Sequence, residues 1–152
     1  MTRLIITNGK LILPDRIETD KALICKDGKI EQIVSEEALE LLPDDQIIDA
    51  GQQYVSPGFI DMHIHGGGGH DFMDGTTEAF LGIAETHAQY GTTAMVPTTL
   101  TSTNDELMNI FATYQKAKVL NTRGAKFIGL HLEGPYFSPC LLYTSPSPRD
   151  MR

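Results

Sequence analysis

The stretch PGFIDMHIHG, residues 57–66, decides how the rest of the chain reads. Its apolar residues, introduced by the Pro57-Gly58 break, predict an extended strand. In a strand alternate side chains share a face, so Asp61, His63 and His65 point one way while Met62 and Ile64 point the other. Two imidazoles on neighbouring same-face positions can converge on one ion at about 2.0 to 2.1 Å each. A bare His-x-His arises by chance often enough to carry little weight alone. The context adds weight: the strand runs into Gly66, Gly67, Gly68 and Gly69, which places both histidines at a C-terminal strand end, where barrel enzymes keep their active sites.

Downstream the pattern alternates strands with helices, the signature of a parallel α/β sheet or barrel. A helix is predicted from about Thr77 to Tyr90, with Phe80, Leu81, Ala84 and Ala88 on one face and Gly91 as its stop. AMVPTTL (94–100) reads as the next strand. Thr103 and Glu106 then form a capping box for a second helix, with Leu107, Ile110, Phe111 and Tyr114 at helical spacing. AKFIGLHLEG (125–134) reads as a third strand. These are three strands and two helices of a repeating βα unit, whereas a full eightfold barrel takes roughly 250 residues.

Upstream the chain reads as β-structure. LIIT (4–7) and KLIL (10–13) flank Asn8-Gly9, and ALICK (22–26) and KIEQIV (29–34) flank Asp27-Gly28, so two tight hairpins are expected. SEEALELL (35–42) is expected to form a short helix capped by Ser35 and stopped by Pro43. QIID (46–49) and residues 53–65 should be extended. The last thirteen residues, CLLYTSPSPRDMR (140–152), turn abruptly to Ser and Pro and lose the alternation. They are read as foreign to the protein, resembling translated read-through of a sequencing adapter, with a natural disordered tail as the alternative.

A second constellation is HLEGPY (131–136), again ending an apolar strand, with His131 and Glu133 on one face. Taken alone, Glu133 reads more readily as a carboxylate reaching solvent or pairing with a distant Arg than as a metal ligand. His131 is expected to be a core histidine bonded to a neighbour. The four glycines lack the G-x-x-x-x-G-K-[ST] pattern of a phosphate loop and are read as a flexible active-site loop. Within it His70 is expected at the surface, and His87 on the first helix at the surface or in helix packing.

Together PGFIDMHIHG and HLEGPY resemble the N-acetylglucosamine-6-phosphate deacetylase family, a branch of the amidohydrolase superfamily. The resemblance covers residues 1–139, and HLEGPY, about seventy residues after the first string, is its more specific part. It implies an α/β fold: a metal-dependent hydrolase (β/α)8, TIM-like barrel, of which only the first strands and helices are present, preceded by a small β-sandwich segment. The expected division is 1–54 for the sandwich segment, 55–139 for the first part of the barrel and 140–152 for a non-native tail. The resemblance puts Glu133 at the family's central metal-ligand position and matches His63 and His65 to the His-x-His of members that hold a second metal. The cofactor implied is a divalent metal, zinc or iron, as one or two ions. Two further histidines and the catalytic aspartate come from later barrel strands, so no catalytic residue is assigned here and the chain by itself is expected to be inactive.

Composition bounds the alternatives. A hydrophobic content of 41% with 21% charged residues suits a globular protein. A net charge of −8 opposes nucleic-acid binding, which needs clustered Lys and Arg. One phosphate on a small substrate needs only a local Arg or a few backbone N–H groups. No apolar run suits a membrane span and the start has no secretory pattern, so no membrane partner and a cytoplasmic location are expected. Cys25 and Cys140 form no metal-type pair and are read as reduced thiols. The resemblance implies hydrolysis of the acetamide of N-acetylglucosamine 6-phosphate, a small phosphorylated amino sugar, by a full-length homodimer. A dihydroorotase or hydantoinase, which shares the D-x-H-x-H strand, is one rival; a non-catalytic truncated module is the other.

Overall fold

The computed structural model describes residues 3–134, so the expected tail at 140–152, with Cys140, lies outside the described residues. The chain divides into two compact units, one ending at Pro57 and one beginning at Gly58.

The first unit holds two sheets. One runs in the order β5 (Lys29–Ser35), β4 (Lys21–Lys26), β1 (Leu4–Thr7) and β6 (Gln46–Asp49). The other runs β3 (Ile17–Glu18), β2 (Lys10–Ile12) and β7 (Tyr54–Val55). Ile5, Ala22 and Ile24 are buried on the first sheet and pack with Val34 and Leu39. The Asp27-Gly28 hairpin forms as read: Lys26 faces Lys29 across two residues of positive φ, 52° and 73°.

Asn8-Gly9 does not make the expected hairpin. β1 pairs with β4 and β6, whereas β2 pairs with β3 and β7, so the chain passes from one sheet to the other at this point. Only Asn8 has positive φ, 52°, and a type I′ turn needs it at both positions. Glycine is required at position 9 for a different reason, because a Cβ there would lie 2.7 Å from Val55 Cγ2. The helix expected over 35–42 shrinks to a single 3-10 turn, Glu36–Ala38. Ser35 makes no side-chain cap, and the Arg3 guanidinium donates to the Glu40 carbonyl at 2.9 Å, which holds the following chain outside a helical ladder.

The second unit carries a parallel sheet. β8 (Phe59–Ile64) pairs with β11 (Thr92–Thr99), and β11 pairs on its other edge with β12 (Lys126–Phe127) and β13 (His131–Leu132). Between β8 and β11 lie a small hairpin, β9 (Gly66–Gly67) with β10 (His70–Asp71), and helix α1 (Thr77–Ala88). Helix α2 (Asn104–Leu120) connects β11 to β12. Both helices begin where the sequence predicts: α1 starts at Thr77, capped by Thr76, a residue the sequence reading did not single out, and Thr103 with Glu106 forms the expected capping box of α2. Ile83, rather than Leu81, is the residue α1 buries beside Phe80 and Ala84.

The third strand is not continuous. Phe127 faces Met95 and His131 faces Thr98, so three steps along β11 are matched by four along the third strand. This is a one-residue bulge, lying between the positions matched to Met95 and Thr98 of β11. The ladder survives at its start, where the Ile128 N–H donates to the Met95 carbonyl at 3.1 Å. The outer face of the sheet supplies Ile64, Met95 and Phe127 to a core completed by Phe72, Phe80, Ile83, Ile110 and Tyr114.

One ion pair in the first unit gives stability a definite dependence on acid. The Asp45 carboxylate is only 2% exposed and receives Arg3 Nε at 2.9 Å and Nη2 at 2.6 Å, with the Leu42 N–H at 2.8 Å. The Arg3 hydrogen bonds first, and then the Leu42 N–H, hold its pKa below the ordinary carboxylate value. A depressed folded pKa adds stability above the unfolded value of about 3.9 and loses it as pH falls through the folded one. Melting followed from about pH 7 down to about pH 2 is therefore expected to fall more steeply for the native chain than for Asp45→Asn. Parallel curves would remove Asp45 from the acid transition.

Candidate functional site

His63 is the next-to-last residue of β8 and His65 follows that strand directly, while Glu133 follows β13. The structure brings all three together from positions seventy residues apart. His63 Nε2 lies 3.2 Å from His65 Nε2 and 3.2 Å from Glu133 Oε2, and His65 Nε2 lies 3.1 Å from the same oxygen. The side chains are between a third and a half exposed, so the cluster opens to solvent.

The donor set fits a metal ion. Three lone-pair-bearing atoms facing one another at these distances repel unless protons or a cation stand between them. A tetrahedral site with bonds of about 2.0 Å spaces its ligand atoms about 3.3 Å apart, close to the triangle seen here. Two imidazoles with one carboxylate suit zinc or iron and do not distinguish them.

The other expected neighbours take different places. Asp61 accepts the His63 peptide N–H at 3.1 Å, so its carboxylate turns back on its own strand and stands outside the triangle. His131, expected in the core, is half-buried beside the cluster: its ring meets that of His63 edge to face, with centroids 4.7 Å apart at 80°. His65 Nδ1 is buried with no hydrogen-bond partner among the described residues.

The strand end that carries the histidines is held by contacts the sequence did not announce. Pro97 of β11 stands opposite Ile64 and has no N–H to give the ladder. Beside it the Thr98 hydroxyl accepts the Ile64 N–H at 3.1 Å and donates to the Val96 carbonyl at 3.3 Å. The Phe72 N–H donates to the His65 carbonyl at 2.9 Å.

The glycine run is not the loop expected from its composition. Gly66 and Gly67 pair with Asp71 and His70, and Gly68 and Gly69 make the turn with φ of 62° and 84°. The hairpin lies at near-backbone distance from α1. A Cβ on Gly67 would stand 2.4 Å from His87 Nε2, and one on Gly68 2.2 Å from Thr86 Oγ1. His70 is exposed in part and its ring lies against Gly82, where a Cβ would come within 2.9 Å. His87, read as surface or packing, sits with Nε2 3.2 Å from the Gly66 carbonyl. Close approach to a helix is a second reason for glycine, and it is the one that operates here.

A separate hollow at the N-terminal end of α2, lined by Gly75, Leu100, Ser102, Asp105 and Asn109 among others, contains none of the three clustered residues. The acidic first turn of α2, Asp105 and Glu106, gives an anion no advantage there.

A profile of the Amidohydrolase family matches residues 54–149. The N-acetylglucosamine-6-phosphate deacetylase of Vibrio furnissii is 37% identical over 91 residues, covering 60% of this chain and 23% of that protein. The enzyme of the same name from Lysinibacillus sphaericus is 32% identical over 135 residues, covering 89% of this chain and 34% of its own. The chain thus spans about a quarter to a third of the length of these curated relatives. The crystal structure of N-acetylglucosamine-6-phosphate deacetylase from Pasteurella multocida superimposes with a TM-score of 0.81 at 26% identity, covering 99% of this chain and 38% of that one. Against that fold the three parallel strands β8, β11 and β12–β13 are the first part of an α/β barrel, open among the described residues.

The hairpin packing gives a direct test. Gly68→Ala places a Cβ both at positive φ and against Thr86, so it is expected to lower stability by about 1 to 3 kcal/mol from overpacking, with left-handed strain adding to that. Denaturant unfolding of the two proteins measures it. A loss below about 0.5 kcal/mol, the range of ordinary surface substitutions, would show that the hairpin does not press on α1.

Proposed function

The chain belongs to the Amidohydrolase family, and from that premise we propose that it forms part of an N-acetylglucosamine-6-phosphate deacetylase in which His63, His65 and Glu133 hold a divalent metal. The observation that carries this reading is the convergence of the HLEGPY carboxylate with both histidines of the first barrel strand, at 3.1 to 3.2 Å. Similarity over 89% of the chain to a deacetylase of that name favours it over a cyclic-amide hydrolase. Residues 1–54 are assigned to the sandwich segment, 55–139 to the barrel and 140–152 to a tail foreign to both. A cytoplasmic, homodimeric full-length enzyme is carried by the family resemblance alone.

The reaction adds water across the acetamide C–N bond, giving acetate and the free amine of glucosamine 6-phosphate. A divalent ion bound by these residues supplies Lewis acidity, which acidifies water and polarises an amide carbonyl; zinc and iron both suit the donor set. Glu133 contributes the negative charge of the set, and His63 and His65 contribute neutral imidazole lone pairs from Nε2, which leaves each Nδ1 protonated. The exposure of His63 leaves the open side of the cluster accessible to a sugar. The proton shuttle, from water to departing amine, is assigned by resemblance to an aspartate on a later barrel strand of the full-length protein.

Glu133→Gln keeps the shape of the side chain and removes its charge. In the full-length protein it is expected to lower deacetylase turnover by about a hundredfold or more and to reduce bound metal, with the melting temperature of the metal-free protein little changed. Acetate release and metal content are measured on the same preparations. Native values of both would take Glu133 out of the site.

A further inference from the structure

We propose that His87 is a positioning residue for the metal centre: from the last turn of α1 it fixes where His65 stands by holding the carbonyl of Gly66, the residue that follows it. The proposal rests on the reading of His63, His65 and Glu133 as ligands.

A histidine that binds metal through one ring nitrogen is ordinarily oriented by a hydrogen bond from the other. That device is missing at His65, whose Nδ1 is buried without a partner among the described residues. Its orientation must then come from its backbone. Two carbonyls follow the His65 Cα, and each is tied to a different element. The His65 carbonyl accepts the Phe72 N–H at 2.9 Å, and the Gly66 carbonyl lies 3.2 Å from His87 Nε2. A carbonyl only accepts, so His87 is the donor and carries its proton on Nε2.

The first tie belongs to the chain segment that closes the hairpin. The second crosses to α1, packed by Phe80, Ile83 and Ala84 into the core, and so refers His65 to the rigid part of the unit. The glycines make the reach possible. With a Cβ on Gly67 only 2.4 Å from His87 Nε2, the ring would be driven from the carbonyl; with one on Gly68, the hairpin would be driven from Thr86. Gly82 admits the His70 ring on the same surface of α1. Three glycines, two imidazoles and the Thr86 side chain therefore make one close-packed surface between the hairpin and α1, and what its His87 contact secures is the residue next to a ligand.

The test is a cobalt(II) titration of the metal-free full-length protein, followed by visible absorption, with the melting temperature of the metal-free form recorded beside it. His87→Leu keeps bulk but loses the donor, and is expected to weaken cobalt binding about tenfold or more and to alter the absorption band. His87→Gln, whose amide N–H reaches the same carbonyl, is expected to stay within about twofold of native affinity with the native band. Should His87→Leu fail to fold, Gly67→Ala displaces the same ring from the hairpin side, and the same loss is expected of it. Native affinity in His87→Leu, or in a folded Gly67→Ala, overturns the proposal. So does a His87→Gln as weak as His87→Leu at unchanged melting temperature. A native protein that takes up no cobalt at all overturns the ligand reading and this proposal with it, which is distinct from a native protein that binds and a variant that binds equally well.

Discussion

The site depends on one strand having two neighbours. β11 pairs with β8 along one edge and with β13 along the other, both in parallel, so the ends of β8 and β13 that carry His63 and Glu133 lie on the same rim. Neighbouring strands are about 4.8 Å apart, which separates the outer two by roughly 9 to 10 Å. A histidine and a glutamate reaching inward over β11 close that gap to 3.2 Å. Were β13 on the far side of β8, or antiparallel, the same residues would not meet. Strand order therefore does more for this cluster than the local sequence around either motif.

The opposite face of the same strands provides the anchorage. Alternation sends His63 inward and Ile64 outward, and Ile64 joins Met95 and Phe127 under the helices. Phe127 is the hub of this layer, with Phe72, Phe80 and Tyr114 ring centroids 6.3, 5.8 and 6.0 Å away. Edge-to-face aromatic packing of this kind resists rotation as well as separation. The clustered side chains are thus mounted on a sheet that is fixed from behind, while their own side remains open. Ile60 and Met62 of β8 stay 62% and 72% exposed, so the packed layer described here covers only part of the strand.

Much of this was legible beforehand, and the failures have physical causes. Period-two and helical spacing located β8, β11, α1 and α2, and the cap at Thr103 lies where its side-chain chemistry placed it. Strand-end position singled out His63 and His65, whereas Glu133, which alone reads as a solvent-reaching carboxylate, was grouped with them only by the family resemblance. What could not be read was which strand pairs with which. Asn8-Gly9 has hairpin chemistry yet joins two sheets, because tertiary pairing of β1 with β4 and β6 outweighs the preference of two turn residues. SEEALELL has helical composition, but its Glu40 carbonyl is taken by Arg3 from far along the chain. The glycine run looked flexible because sequence reports conformational freedom and is silent on close approach; the contact with His87 spans 21 residues and has no local signature.

The bulge between Phe127 and His131 has a consequence of its own. Side chains on a strand alternate, so the extra residue between Phe127 and His131 reverses the parity of everything after it. Phe127 is buried against the helices, and four residues on His131 lies beside the His63 ring at the rim, although an unbroken strand would give these two positions the same face. The chain thus changes sides within one strand, spending its first half on packing and its second on chemistry. It follows that the spacing between these two residues, rather than the identity of Ile128, Gly129 and Leu130, sets which face His131 and Glu133 occupy. Losing or gaining a single residue there would leave His131 and Glu133 in the chain yet turn Glu133 away from its partners.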